Sequence, residues 1–138
     1  MSLLFDEYRA NWAIRYIREA EADLSMAEKT PIPAISVSFA LMAMRKSQTA
    51  VYYSLGDPEY LVPLVEKNLP NSDVKDTLMR MLVQIELLIQ RDSGMAETLS
   101  KSFAIEEARH LIGVSSEVVK IMANEASQTG KWNSDSFR

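Results

Sequence analysis

The residues Pro33-Ala-Ile-Ser-Val-Ser-Phe-Ala-Leu-Met-Ala-Met44, which run on through Arg45-Lys46 to Ala50-Val51-Tyr52-Tyr53, decide how this chain folds. From Pro33 to Met44 there is no charged side chain, so helical winding puts apolar or small groups on every side. A helix of that kind must be covered on more than one face, which predicts a central helix from Pro33 to Leu55 with the other helices packed around it.

On its N-terminal side, Leu4, Tyr8, Trp12, Ile14, Tyr16, Ile17, Ala20, Leu24 and Ala27 recur at helical spacing with charges between them. They predict a long amphipathic helix from Leu3 to Glu28. Pro31 and Pro33 end it and begin the next, so the turn is short, the two helices lie antiparallel, and Leu24 and Ala27 are expected against Ile35 and Phe39. Arg9, Arg15 and Arg18 share part of the first helix face and read as a solvated stripe pairing with Glu7 and Glu19.

On the C-terminal side, Gly56 is expected to close the central helix in the left-handed conformation. Asp57-Pro58-Glu59 then supplies a cap, a first-turn proline and a first-turn acid for a short segment that Pro63 interrupts. Ser72 is expected to cap a fourth helix with a stripe from Val74 to Ile89, broken at Asp92-Ser93-Gly94. A last helix is expected around Phe103, Ile105, Ala108, Leu111, Val119 and Met122, with Glu106 and Glu107 in its first turn and Gly113 marking a close helix approach. The fold class is therefore all-α: an up-and-down bundle of four main helices plus a short kinked one. Residues 1–126 form a single domain, and 127–138 a polar tail in which Trp132 and Phe137 are the only large apolar groups.

The chain has 138 residues, 47% hydrophobic and 25% charged, which suits one core of useful size and argues against disorder. No apolar run is long enough to span a bilayer, and acids and bases within the first nine residues do not follow the order of a secretory signal; a cytoplasmic location is the expectation. Without cysteine there is no thiolate chemistry and no disulfide. A net charge of −4 argues against bulk, sequence-independent binding to nucleic acid.

Catalytic patterns are sparse. Glu107 and His110 have the Glu-x-x-His spacing of paired-metal bundles, but that site needs the motif twice and the chain has one histidine. Neither a metal nor another cofactor is expected. The acids Glu19, Glu21, Asp23 and Glu28 do not repeat the spacing that holds magnesium in helical pyrophosphohydrolases. No glycine-rich phosphate loop and no nucleophile triad is present.

Ala20-Glu-Ala-Asp23-Leu24-Ser-Met-Ala27-Glu28, followed by the small-residue helix through Ala34, Ala40, Ala43 and Ala50 to Tyr52-Tyr53-Ser-Leu-Gly56, resembles the first helical hairpin of HEPN domains. Phe103-Ala-Ile-Glu106-Glu107-Ala108-Arg-His-Leu111-Ile112 resembles their closing helix. The resemblance implies an all-α bundle, usually a homodimer, acting as an RNA-cleaving toxin, as the partner of a nucleotidyltransferase, or as a non-catalytic nucleotide- or RNA-binding module. The ribonuclease branch carries an arginine followed within a few residues by a histidine. Here Arg91 stands near the arginine position, but Ala96, Glu97 and Thr98 stand where the histidine belongs.

The expectation is thus a non-catalytic HEPN-like protein that binds a partner protein, nucleotide or RNA, in a toxin–antitoxin or nucleotidyltransferase-associated setting. Arg91, Arg45 and Lys46 are the candidate ligand-binding cations, and Ile35, Phe39 and Met42 the candidate homodimer interface. A degenerate ribonuclease or phosphate hydrolase is the first alternative, and a structural interaction module without ligand the second.

Overall fold

The computed structural model describes residues 7–70 and 74–128, with side chains to residue 125. It contains five helices and, among the described residues, no strand: α1 Glu7–Lys29, α2 Pro33–Leu55, α3 Pro58–Asn68, α4 Thr77–Gly94 and α5 Lys101–Gln128. The fold is an all-α bundle of four long helices and one short one. No helix among the described residues is long and apolar enough to cross a membrane.

Helix α2 is the axis, touching each of the other four, and its most extensive contacts are with α1 and α5. The reason lies in small side chains. Ala10, Ala13, Ala20 and Ala27 of α1 and Ala40, Ala43 and Ala50 of α2 are all without solvent exposure, so the helix axes can approach closely. Ala104 and Ala108 extend this seam onto α5. Buried serines between them are satisfied: Ser36 Oγ donates to the Ala27 carbonyl at 2.6 Å, Ser47 to Ala43 at 2.9 Å and Ser54 to Val51 at 2.8 Å. Helices α3 and α4 cover the remaining side of α2, where Val51 and Tyr52 meet Val65, Leu82 and Val83.

The tight α1–α2 turn follows from its prolines. Ile32, just before Pro33, is held extended (φ −90°, ψ 112°), and Pro33 opens α2 where its missing N–H costs nothing. Leu24, Ala27 and Phe39 join one cluster as expected, but Ile35 does not. Ser36 takes the inward position, and Ile35 faces solvent.

Several local expectations are corrected. Gly56 is extended (φ 175°), not left-handed; its Cα faces Leu61 of α3, where a Cβ would lie 3.2 Å from Leu61 Cδ1. Helix α4 begins at Thr77, capped by Asp76 Oδ1 accepting from Met79 N at 2.9 Å; Val74 precedes the helix, and Ser72 lies outside the described residues. It continues through Asp92 and Ser93 to Gly94, because Asp92 belongs to its buried face. Helix α5 starts at Lys101, with Ser100 Oγ accepting from Phe103 N at 3.1 Å, which puts Glu106 and Glu107 in the second turn. Gly113 is exposed and nothing lies within 4 Å of where its Cβ would be, so no helix approaches there. Backbone helix persists to Gln128 beyond the expected domain end, and Trp132 and Phe137 lie outside the described residues.

Candidate functional site

The last turn of α4 brings Arg91 and Asp92 against Glu107 of α5. Asp92 follows Ile85 and Ile89 on the core-facing side and is wholly buried, an expensive place for a carboxylate. Its partner is the adjacent arginine: Arg91 Nε donates to Asp92 Oδ1 at 3.1 Å, and Nη2 lies 3.0 Å from the same oxygen. Nη2 also donates to Glu107 Oε1 at 2.9 Å, so one half-exposed guanidinium bridges two acids. The other Asp92 oxygen, Oδ2, is buried without a donor.

Burial and the neighbouring Asp92 carboxylate push the Glu107 carboxyl above the usual carboxylate range, against the opposing pull of Arg91 and His110. The arrangement sets two carboxyls under one arginine. It is not suited to attack on a large substrate, because Asp92 has no path to solvent.

Arg45 and Lys46, consecutive on α2 and therefore turned about 100° apart, serve different helices. Arg45 Nη1 donates to Glu86 of α4 at 2.7 Å and to Gln48 at 2.8 Å. Gln48 Nε2 donates to Glu86 at 2.6 Å and Gln90 Nε2 to its second oxygen at 2.7 Å, making a four-membered polar network on the α2–α4 seam. Burial alone would raise the Glu86 pKa, but these hydrogen bonds outweigh it and hold the carboxyl below its ordinary value. Burial likewise pushes the neighbouring Tyr52 hydroxyl up to about 12, with the Glu86 charge adding to it.

Lys46 faces α1, with Nζ 2.9 Å from Asp23 Oδ2 and 3.5 Å from Glu19 Oε1. The hydrogen bond that Lys46 donates to Asp23 raises the Lys46 pKa, against burial. The three nominated cations thus sit on three separate seams, each engaged by carboxylates. His110 and Glu97 are exposed on α5 and in the α4–α5 connection. Among the described residues no group of three or more metal-ligating side chains converges.

The interface candidates share a face. Ile35 and Met42 are each 43% exposed, and half-buried Phe39 lies between them at the i, i+4, i+7 spacing of one helical stripe. Ile32, in the preceding turn, is also exposed. Lys101 Nζ donates to the Thr30 carbonyl at 2.6 Å, which holds the start of α5, with its exposed Phe103, against this same end of the bundle.

Sequence reasoning missed Asp92, Gln48 and Glu86. The signal for Asp92 was present: it completes the Ile85, Ile89 progression, so a carboxylate on the apolar side was foreseeable. It also missed the aromatic cluster of Tyr8, Trp12 and Tyr16, spaced four residues apart on α1, over which Tyr53 of α2 stacks at 5.7 Å from Tyr16 and 6.0 Å from Trp12. The chain matches no protein family, no curated protein and no solved structure.

Proposed function

We propose that this protein is a non-catalytic, HEPN-like interaction module that works as a homodimer and binds a partner protein. The observation that carries the reading is the stripe Ile32, Ile35, Phe39 and Met42: α2 is covered by four helices, yet leaves apolar side chains in water along one line. Apolar groups arranged contiguously on an otherwise packed helix are the mark of an interface. The sequence resemblance of the first hairpin and the closing helix to HEPN domains supports this reading and suggests a nucleotidyltransferase-type protein as the partner class.

Nucleotide or RNA is the less supported ligand, because Arg45, Lys46 and Arg91 each already face at least one carboxylate, which cancels attraction for phosphate. Turnover is less supported still. Phosphodiester cleavage calls for a group that shuttles protons near neutral pH beside a cation, and the exposed Glu97 near Arg91 adds negative charge instead.

Light scattering at micromolar concentration tests assembly. The wild type is expected at twice the chain mass, and Ile35→Glu with Met42→Glu at the monomer mass with its helical circular dichroism retained. A wild-type monomer overturns the homodimer. Metal-free protein that cleaves RNA, and loses that activity in Arg91→Ala, overturns the non-catalytic reading.

A further inference from the structure

At the corner where α2 turns into α3, the first turn of α1 closes one side of a cleft of about 670 Å³. Tyr8, Tyr53 and Tyr60 line it, with Asp57 and Glu59 at the α3 end and Arg9 on the α1 side. Tyr8 and Tyr60 are 68% and 69% exposed, so both phenol rings stand largely in water, Tyr8 meeting Trp12 edge-on. Exposed tyrosines that converge on one concavity are a recognition surface in search of a flat or cationic guest.

The charge balance chooses between those guests. Two carboxylates against one guanidinium leave the lining net negative, and the aromatic faces add the negative side of their quadrupoles. Tyr53 reports the same field: burial first, and then Tyr16, Tyr8, Asp57 and Glu59, raise the pKa of its hydroxyl. The ring system already holds one cation, since the Arg15 guanidinium lies 4.9 Å from the Trp12 ring centre, and Trp12 packs on both Tyr8 and Tyr53. A nucleotide would bring its phosphates to Asp57 and Glu59.

We infer that the Tyr8–Tyr53–Tyr60 cleft binds an alkylated ammonium, a methylated lysine side chain or a free quaternary amine, held by tyrosine faces and by Asp57 and Glu59. The ammonium keeps its charge against the rings while its methyl groups fill apolar space beside Leu55 and Leu61. Arg9 sets the boundary of the cationic end, because like charges repel. This inference stands on the cleft alone and does not depend on the dimer.

The test is an NMR titration of the full chain, following the tyrosine and Trp12 ring signals. The probes are choline, a capped trimethyl-lysine, the neutral tert-butyl isostere of choline, and adenosine monophosphate. Choline or trimethyl-lysine is expected to saturate, the tighter of the two naming the source, with the neutral isostere weaker by about tenfold. Tyr60→Ala, at a position too exposed to affect folding, is expected to weaken the cation by about tenfold. Asp57→Asn keeps the helix cap, because asparagine caps as well as aspartate, and is expected to weaken the cation but not the isostere. Equal binding of the isostere, preference for adenosine monophosphate, or no saturation by either cation at about 10 mM overturns the proposal.

Discussion

Asp92 shows how one residue can set the behaviour of its surroundings. A wholly buried carboxylate is tolerated because Arg91 reaches back over it. Arg91→Ala leaves that charge without a counter-ion and is expected to lower stability in urea by about 2–3 kcal/mol, less than a fully buried pair because the guanidinium is half in solvent. Adding Asp92→Asn should recover much of the loss; if the double variant is no better than the single one, the arginine acts by packing instead. The Glu107 pKa is raised in the folded state, so the folded protein keeps a proton that the unfolded chain has released. Stability is therefore expected to fall as pH rises from the ordinary glutamate value through the raised one, and Glu107→Gln to flatten that slope. Glu86 works the opposite way. Its lowered pKa contributes stability above the ordinary glutamate value that is lost as pH falls through the lowered one, so Glu86→Gln should remove only the acid-side loss. Thermal melts across mildly acidic pH separate the two.

At the scale of the helix, Gly113 offers a clean test. It lies within α5, exposed, with open space where a Cβ would go, and its backbone stays helical. Gly113→Ala is expected to stabilise by about 1 kcal/mol in chemical denaturation; a loss would reveal a contact that its surroundings do not show. The same position marks where sequence reasoning runs out. Apolar period and proline placement were enough to identify the helices and the all-α class, because Pro31, Pro33 and Pro58 constrain backbone whatever the tertiary surroundings. Helix ends were less legible: Asp76 and Ser100 supply the caps, a few residues away from where the local pattern put the helix starts. The reason for an interior glycine depends on neighbours from other helices, which no local pattern encodes. Among site residues, Ile35 and Met42 were readable as apolar groups in excess of what one helix can bury. The pairings of Arg45 with Glu86 and of Arg91 with Glu107 join residues on different helices and could not be read from spacing.

Across the whole molecule, α1, α2 and α5 form the closely packed part, and α3 and α4 rest on α2 through less extensive contacts. Amide hydrogen exchange should follow that division, with the buried stretches of α1, α2 and α5 slowest and α3 and α4 opening at lower free energy; uniform protection would mean that the bundle opens only as a unit. The order of the chain adds a further consequence of the central helix. Its partner α1 is synthesised just before it, but α5, which covers another of its sides, comes only after everything from Gly56 to Ser100. Until Lys101 and the turns beyond it leave the ribosome, Ala43, Met44 and their neighbours on α2 have no α5 to cover them. A newborn chain at that stage leaves this face open, and a ribosome stalled before α5 should hold a chain that binds a hydrophobic dye, whereas one stalled far enough beyond Gln128 for α5 to emerge should bind less.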